Sequence, residues 1–164
     1  MNLSKADRLI ILATKTILGF VVFFVFLYTV PIYKQFKNSD IVLAFMNQKN
    51  AVIGETALKV EIVDTLQERA KGLSCRDNLK QKEGLFFVFE EDDYHGIWMK
   101  DMNFSIDIIW LDSTMQIVDY KENASPDSYP KVFKPQKKSR YVLEVPAGFF
   151  SENNLKLYDE MTIL

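Results

Sequence analysis

The run Ser105–Asp112, "SIDIIWLD", sets a carboxyl group inside a stretch of strand-forming apolar residues. In an extended chain successive side chains point to opposite faces. Ile106, Ile108 and Trp110 then share one face, and Asp107 shares the other with Ile109 and Leu111. Both faces are apolar, a pattern that suits a strand covered on both sides. Asp107 must find a partner there or sit at the lip of a cleft, because an unpartnered buried carboxylate is strongly unfavourable. Two further segments pose the same problem. In "RYVLEVP", Glu144 lies beside Val142 and opposite Tyr141, Leu143 and Val145; in "GIWMK", Trp98 and Lys100 lie opposite Ile97 and Met99.

The surrounding segments read as short strands joined by polar turns. "ALKVEIVDT" alternates Leu58, Val60 and Ile62 against Lys59, Glu61 and Val63, the period of two of a half-buried strand. Thr65-Leu66-Gln67-Glu68 then has the spacing of a capping box, which opens a short helix ending near Gly72. "GLFFVF" is a continuous apolar run of strand length, "EEDDYHG" a polar turn and "MQIVDY" a strand. "YKENASPDSYPKVFKPQKKS", with three prolines, reads as a surface loop. "RYVLEVP" is another strand, "AGFFSENN" a helical turn, and Met161–Leu164 the end of the sheet. About six short strands with one or two brief helices predict a mainly β (α+β) fold, a compact antiparallel β-barrel or rolled sheet.

The hydrophobic content of 48% is high because of the N-terminus, where Thr16–Ile32, "TILGFVVFFVFLYTVPI", carries no charge. With Leu9–Ala13 it supplies about 20 largely apolar residues, enough to cross a membrane as a helix. A cleaved signal peptide would show a shorter apolar region and a small-residue cleavage site, and "YTVPIYKQFKN" offers none. The expected organisation is an N-terminal transmembrane anchor over 1–33, with membrane contact through 9–33, a tether over 34–55 and a β-rich domain over 56–164. Lys5, Arg8 and Lys15 precede the span, so the N-terminus is expected in the cytoplasm and the domain outside it.

A net charge of −2 with scattered lysines weighs against a nucleic-acid surface. The single histidine and scattered carboxylates have no metal-ligand spacing, no glycine-rich phosphate loop is present, and no cofactor is expected. The lone Cys75 closes no intrachain disulfide and reads as a small buried side chain near a helix end. Pairing with His95 as thiolate and base would make the domain a transferase or hydrolase, but no third, orienting residue follows from the spacing.

Three roles remain open for Asp107 and Glu144. They pair with Arg76, Lys100 or Arg140 and fix strand register; they line a groove beside Trp98 and His95; or they act as an acid and base pair.

"AKGLSCRDNL", "GLFFVF", "WMKDMNFSIDIIWLD" and "RYVLEVPAGF" resemble, in order, the sequence blocks of the domain of unknown function 192 family, an uncharacterised bacterial and archaeal group. The resemblance runs from about Thr56 to Leu164 and implies a small, mainly β domain. The family's polar positions fall on Arg76, Trp98, Lys100, Asp107 and Glu144. Ser74 and Leu85 stand where methionine is usual, Asp101-Met102 where Asn-Thr is usual, and Ser105 where proline is usual. The family implies no reaction.

The resulting expectation is a membrane-tethered extracytoplasmic binding or interaction module for a small-molecule, glycan or protein ligand. Its binding residues would be Arg76, His95, Trp98, Lys100, Asp107 and Glu144, with Lys100 and Asp107 converging on Arg76 and Glu144 beside Trp98. The alternatives are an envelope enzyme acting on a glycan or peptide through paired carboxylates, and a structural domain with no ligand.

Overall fold

The computed structural model describes residues 48–164. The expected anchor, and the tether as far as residue 47, lie outside the described residues. Among the described residues there are nine strands: β1 (Gln48–Ile53), β2 (Thr56–Val63), β3 (Glu83–Asp93), β4 (Ile97–Trp98), β5 (Ile106–Leu111), β6 (Ile117–Ala124), β7 (Val132–Phe133), β8 (Ser139–Pro146) and β9 (Met161–Ile163). Two short helices accompany them, α1 (Leu66–Lys71) and α2 (Phe149–Glu152). The main sheet has seven strands in the order β6-β5-β8-β3-β2-β1-β9, and β4 pairs separately with β7.

The sheet curls into a half-barrel. Its end strands meet at one corner, where Gln116 bridges Glu160, the Ile117 amide donates to the Asp159 carbonyl (3.0 Å) and the Met161 amide to the Met115 carbonyl (2.9 Å). The expectation of a mainly β rolled sheet holds, with one pair running the other way. β2 and β3 are parallel, because α1 and the loop after it carry the chain back across the sheet between them. The capping box forms as the spacing predicts: the Glu68 amide donates to Thr65 Oγ1 (3.2 Å) and the Thr65 amide to Glu68 Oε2 (3.2 Å). The Thr65 hydroxyl and amide hold the Glu68 carboxyl below the usual range. The helix stops at Gly72, whose φ of +49° favours glycine.

Three boundaries differ from the sequence expectation. Gly54 reads as loop and forms the turn between β1 and β2, but "NQKN" also reads as loop, whereas Gln48–Ile53 is a strand paired with β2 and β9, so the domain begins inside the segment expected to be a tether. Long-range pairing overrides the weak local preference of a polar stretch. β3 runs on through Glu90–Asp93, expected as a turn, and the proline-containing loop holds β7.

Two apolar layers flank the sheet. Inside the curl, Ile53, Val60, Phe86, Ile109, Leu111, Leu143 and Val145 pack with Phe149 and Phe150 of α2. Outside it, Leu85, Phe87, Ile106, Ile108, Trp110 and Val142 are covered by Leu73 and by Ile97, Met99 and Phe133, which belong to the β4–β7 strap and its flanks. Every residue of β5 is buried, as the two apolar faces of that strand require.

Asp107 belongs to the inner face and is fully buried. Its Oδ2 accepts the Phe150 amide (2.9 Å), serving helix α2 as an N-terminal acceptor that the N-cap Gly148 has no side chain to supply. Its Oδ1 accepts the Asn123 amide (2.8 Å), where the β5–β6 register slips between Ile106 and Ile108. The charge inside "SIDIIWLD" thus closes two backbone gaps. Asp107→Ala strands two amide donors and should lower stability by about 3 to 5 kcal/mol; Asp107→Asn keeps one acceptor and should cost about half as much. Urea unfolding measures both, and a loss under about 1 kcal/mol for the alanine variant would contradict this role.

Candidate functional site

The outer face carries the polar residues that matter chemically. Strand register sets Glu61 opposite Leu85, Leu85 opposite Glu144, and Glu144 opposite Ile108, one row across β2, β3, β8 and β5. Glu144 is flanked by apolar neighbours and is only 5% exposed. Arg76, on the loop after α1, reaches this row but gives both guanidinium nitrogens to Glu61, Nη1 to Oε2 at 2.8 Å and Nη2 to Oε1 at 3.0 Å. A two-pronged ion pair satisfies both partners, and Leu85 stands between it and Glu144. Glu144 Oε2 therefore has no hydrogen-bond partner at all among the described residues.

The consequence is electrostatic. Removal from water pushes the Glu144 carboxyl up to about 8, against a smaller opposing pull from the Arg76 charge. At neutral pH it is a neutral acid, with one donor and acceptor capacity to spare.

Glu144 forms part of the wall of a cavity of about 60 Å³ between the sheet and its cover. Arg69, Gly72, Leu73 and Ser74 line it from the α1 side; Gly96, Ile97, Trp98 and Met102 line it from the strap. Trp98 is 50% exposed, so it forms the mouth, with Tyr129 edge-on at 6.3 Å between ring centroids. The strap is tightly seated: a Cβ at Gly96 would lie 2.6 Å from Val132 Cγ1. Arg69 is fixed by donating to the Asp64 and Val88 carbonyls and by lying over the Phe89 ring.

The six residues expected to bind are therefore divided. Trp98 and Glu144 line one cavity, and Arg76 stands close enough for its charge to act on Glu144. Asp107 is on the opposite face of the sheet, which removes it from any shared patch, because β5 and β8 pair with Asp107 beside Val145 and Glu144 beside Ile108. Lys100 is exposed and its backbone carbonyl, not its ammonium, is engaged, by Ser74 Oγ. His95 stacks on Phe89 at 3.6 Å, with Nε2 3.0 Å from the Glu91 carbonyl oxygen. It lines a separate, open groove of about 550 Å³ bounded by Arg69, Phe89, Lys138 and the acidic run Glu90–Asp93. With His95 so held, no Cys75–His95 dyad forms. Cys75 is exposed, correcting the expectation of a buried thiol; its φ of +60° belongs to a turn after α1, which points the chain outward there.

Sequence alone passed over Glu61 and Arg69. Glu61 was detectable, since alternation sets it on the outer face; nothing local distinguishes Arg69.

Among the described residues no helix is long and apolar enough to cross a membrane, and no cluster of three or more His, Cys, Asp or Glu is placed to hold a metal.

Two outcomes are expected. Between pH 4.5 and about 8 the unfolded Glu144 is ionised and the folded one is not, so the folded state binds the extra proton and stability falls as pH rises. The loss should be about 1.4 kcal/mol per pH unit, of order 5 kcal/mol across the window. Glu144→Gln should remove that slope, melting above the parent protein at pH 8.5; parallel melting curves from pH 5 to 8.5 would contradict the buried neutral acid. Separately, Cys75 should react with a thiol reagent in the native state at a rate close to that of the unfolded chain.

The solved structures place this architecture among known ones. A Sinorhizobium meliloti protein, conjectured in its name to regulate transcription, superposes with a TM-score of 0.68 at 24% identity, covering 71% of this chain and 93% of that one. A protein of unknown function from Novosphingobium aromaticivorans gives 0.66 at 24%, covering 70% and 84%. These likenesses concern the fold. In sequence, UPF0127 proteins from Thermococcus gammatolerans and Thermococcus kodakarensis are 33% identical over 89 residues and 31% over 90, covering 54% and 55% of this chain. One from Thermococcus sibiricus is 31% identical over 103 residues, 63% of this chain. The chain spans 56%, 55% and 64% of the length of these relatives. The model of the DUF192 family, described as "Uncharacterized ACR", matches residues 47–163, nearly all of the half-barrel and its strap, and the chain belongs to that family.

Proposed function

We propose that the half-barrel is an extracytoplasmic binding module, tethered to a membrane through residues 9–33, whose ligand inserts a polar group beside Glu144 and rests on Trp98. One observation carries the binding reading. A buried carboxyl with an unpartnered oxygen lies on the wall of a cavity that opens at a half-exposed tryptophan. Buried polar groups are almost always satisfied inside a protein, and a group left unsatisfied at a cleft, with its pKa displaced, is a mark of a functional site. The uncharged run 16–32 and the basic residues before it support the tether.

A second reading makes Glu144 a general acid, for which a carboxyl raised to about 8 is suited. Paired-carboxylate hydrolysis needs a second free carboxylate facing the same cleft. Asp107 is on the other face with both oxygens engaged, and Glu61 is taken by Arg76. Binding is therefore the better supported of the two. The net charge of −2 gives no support to extending a transcriptional role from the Sinorhizobium protein to this one.

Two experiments test the proposal. A reporter fused after Leu164 should be active outside the cytoplasm, with the protein retained in carbonate-washed membranes; a cytoplasmic reporter, or a shortened soluble form, would refute the tether. The chain has two tryptophans, so labelling with 5-fluorotryptophan gives two fluorine resonances. A library of hydroxyl, amide and ammonium fragments should move the Trp98 signal, leave that of buried Trp110, and lose its effect in Glu144→Leu. If no fragment moves the Trp98 signal, the binding reading fails.

A further inference from the structure

We propose that the group received by the Glu144 cavity is uncharged and carries hydroxyls: a saccharide unit, seated with its C–H face on Trp98 and a hydroxyl hydrogen-bonded to the Glu144 carboxyl. This rests on the cavity being the binding site proposed above, and it specifies the ligand's chemistry.

Charge is the first consideration. Among the described residues the cavity is lined by one acid, Glu144, and one base, Arg69. The Arg69 guanidinium is committed to two backbone carbonyls and to the Phe89 ring. The Arg76 guanidinium is matched by Glu61. The Arg76 charge is thereby matched, whereas Arg69, whose Nη1 makes both carbonyl contacts, keeps its positive charge at the cavity wall; an anion drawn to it would give up its water for that one charge and the single donor of the Glu144 acid, which is costly. An inserted ammonium would have to strip the proton from Glu144 and sit beside Arg69, exchanging a neutral buried carboxyl for a buried ion pair next to a like charge. Both changes are costly away from water. A hydroxyl needs neither. It accepts from the protonated carboxyl and donates to the unpartnered Oε2, completing the hydrogen bonds that the fold leaves open.

Size and shape are the second. About 60 Å³ admits a few heavy atoms, enough for a hydroxymethyl or a ring hydroxyl but not for a whole sugar ring. The ring itself would remain at the mouth, where Trp98 is half exposed and Tyr129 stands nearly perpendicular to it, at 67°. An indole face bounded by a second aromatic edge offers a flat apolar platform with polar groups at its margin. Sugar rings present that combination of an apolar C–H face and peripheral hydroxyls.

The full-length protein labelled with 5-fluorotryptophan, in detergent micelles, is titrated with cellotriose, maltotriose and triacetylchitotriose. At least one should shift the Trp98 resonance saturably. Glu144→Gln preserves a neutral donor and acceptor of the same shape and should hold the dissociation constant within about threefold; Glu144→Leu removes both and should weaken binding about tenfold or more. Trp98→Ala, at a half-exposed position, should weaken it to a similar degree, with an unchanged melting temperature as the check that the fold is kept. Choline and a neutral capped dipeptide serve as opposing probes. Choline binding that Glu144→Gln abolishes would identify a cationic ligand and overturn the saccharide assignment while leaving the site intact. Binding of the dipeptide alone would overturn it in the same way. Saccharide binding indifferent to Glu144→Leu and Trp98→Ala would locate the contact elsewhere and overturn the site itself. No response to any of the three saccharides would overturn the saccharide assignment.

Discussion

Strand β8 is covered on both faces, and most of what is distinctive in this domain follows from that constraint. It lies between β3 and β5, with the inner apolar layer on one side and the strap on the other. From Val142 to Pro146 a strand so enclosed has no solvent-facing side on which to carry polar residues cheaply. Any polar side chain on it or its neighbours must be satisfied by the protein or left for a ligand. Asp107 and Glu144, on adjacent strands, show the two outcomes.

Asp107 is spent on the fold. A six-residue strand, a slipped register in β6 and a four-residue helix that begins at a glycine leave amides with nothing to donate to, and one carboxyl receives two of them. The same residue thereby fixes α2 against the inner core, where Phe149 and Phe150 are buried. Glu144 receives nothing comparable. The cation that acts on its charge, Arg76, is already bound two strands away, and its neighbours along the row are leucine and isoleucine. The fold tolerates an acid that is neutral at pH 7 and that costs stability progressively as pH rises from 4.5 to about 8, an arrangement consistent with a site kept for another molecule.

The strap converts this buried acid into an addressable one. Without β4 and β7 the outer face would be a bare sheet, and Glu144 would be solvated with an ordinary acidity. With them, Glu144 is shielded from bulk water on the wall of a small cavity that Trp98 also lines, and the close seating at Gly96 keeps the cover in position. Burial, a weakened acidity and a defined mouth arise together from one covering element.

Much of the architecture was legible in the sequence. Alternation assigned Leu58, Val60 and Ile62 to one face and Glu61 to the other; the capping box fixed the start of α1; and the doubly apolar run at 106–111 announced a strand buried on both sides. These are local properties, set by residue periods of two and by spacing within a turn. β1 was not legible, because its polar residues become a strand only when β2 and β9 pair with it. Nor was the separation of Asp107 from Glu144. Alternation assigns each residue to a side of its own strand, but which sides coincide is decided by the register between strands that are more than thirty residues apart, Asp107 against Val145 and Ile108 against Glu144. The sequence by itself determined that two carboxyls would be buried in apolar strands and that a tryptophan and an arginine accompanied them. Only the tertiary structure decided that one carboxyl meets two backbone amides while the other meets a cavity, since hydrogen bonds reach about 3 Å and that proximity is created by long-range pairing.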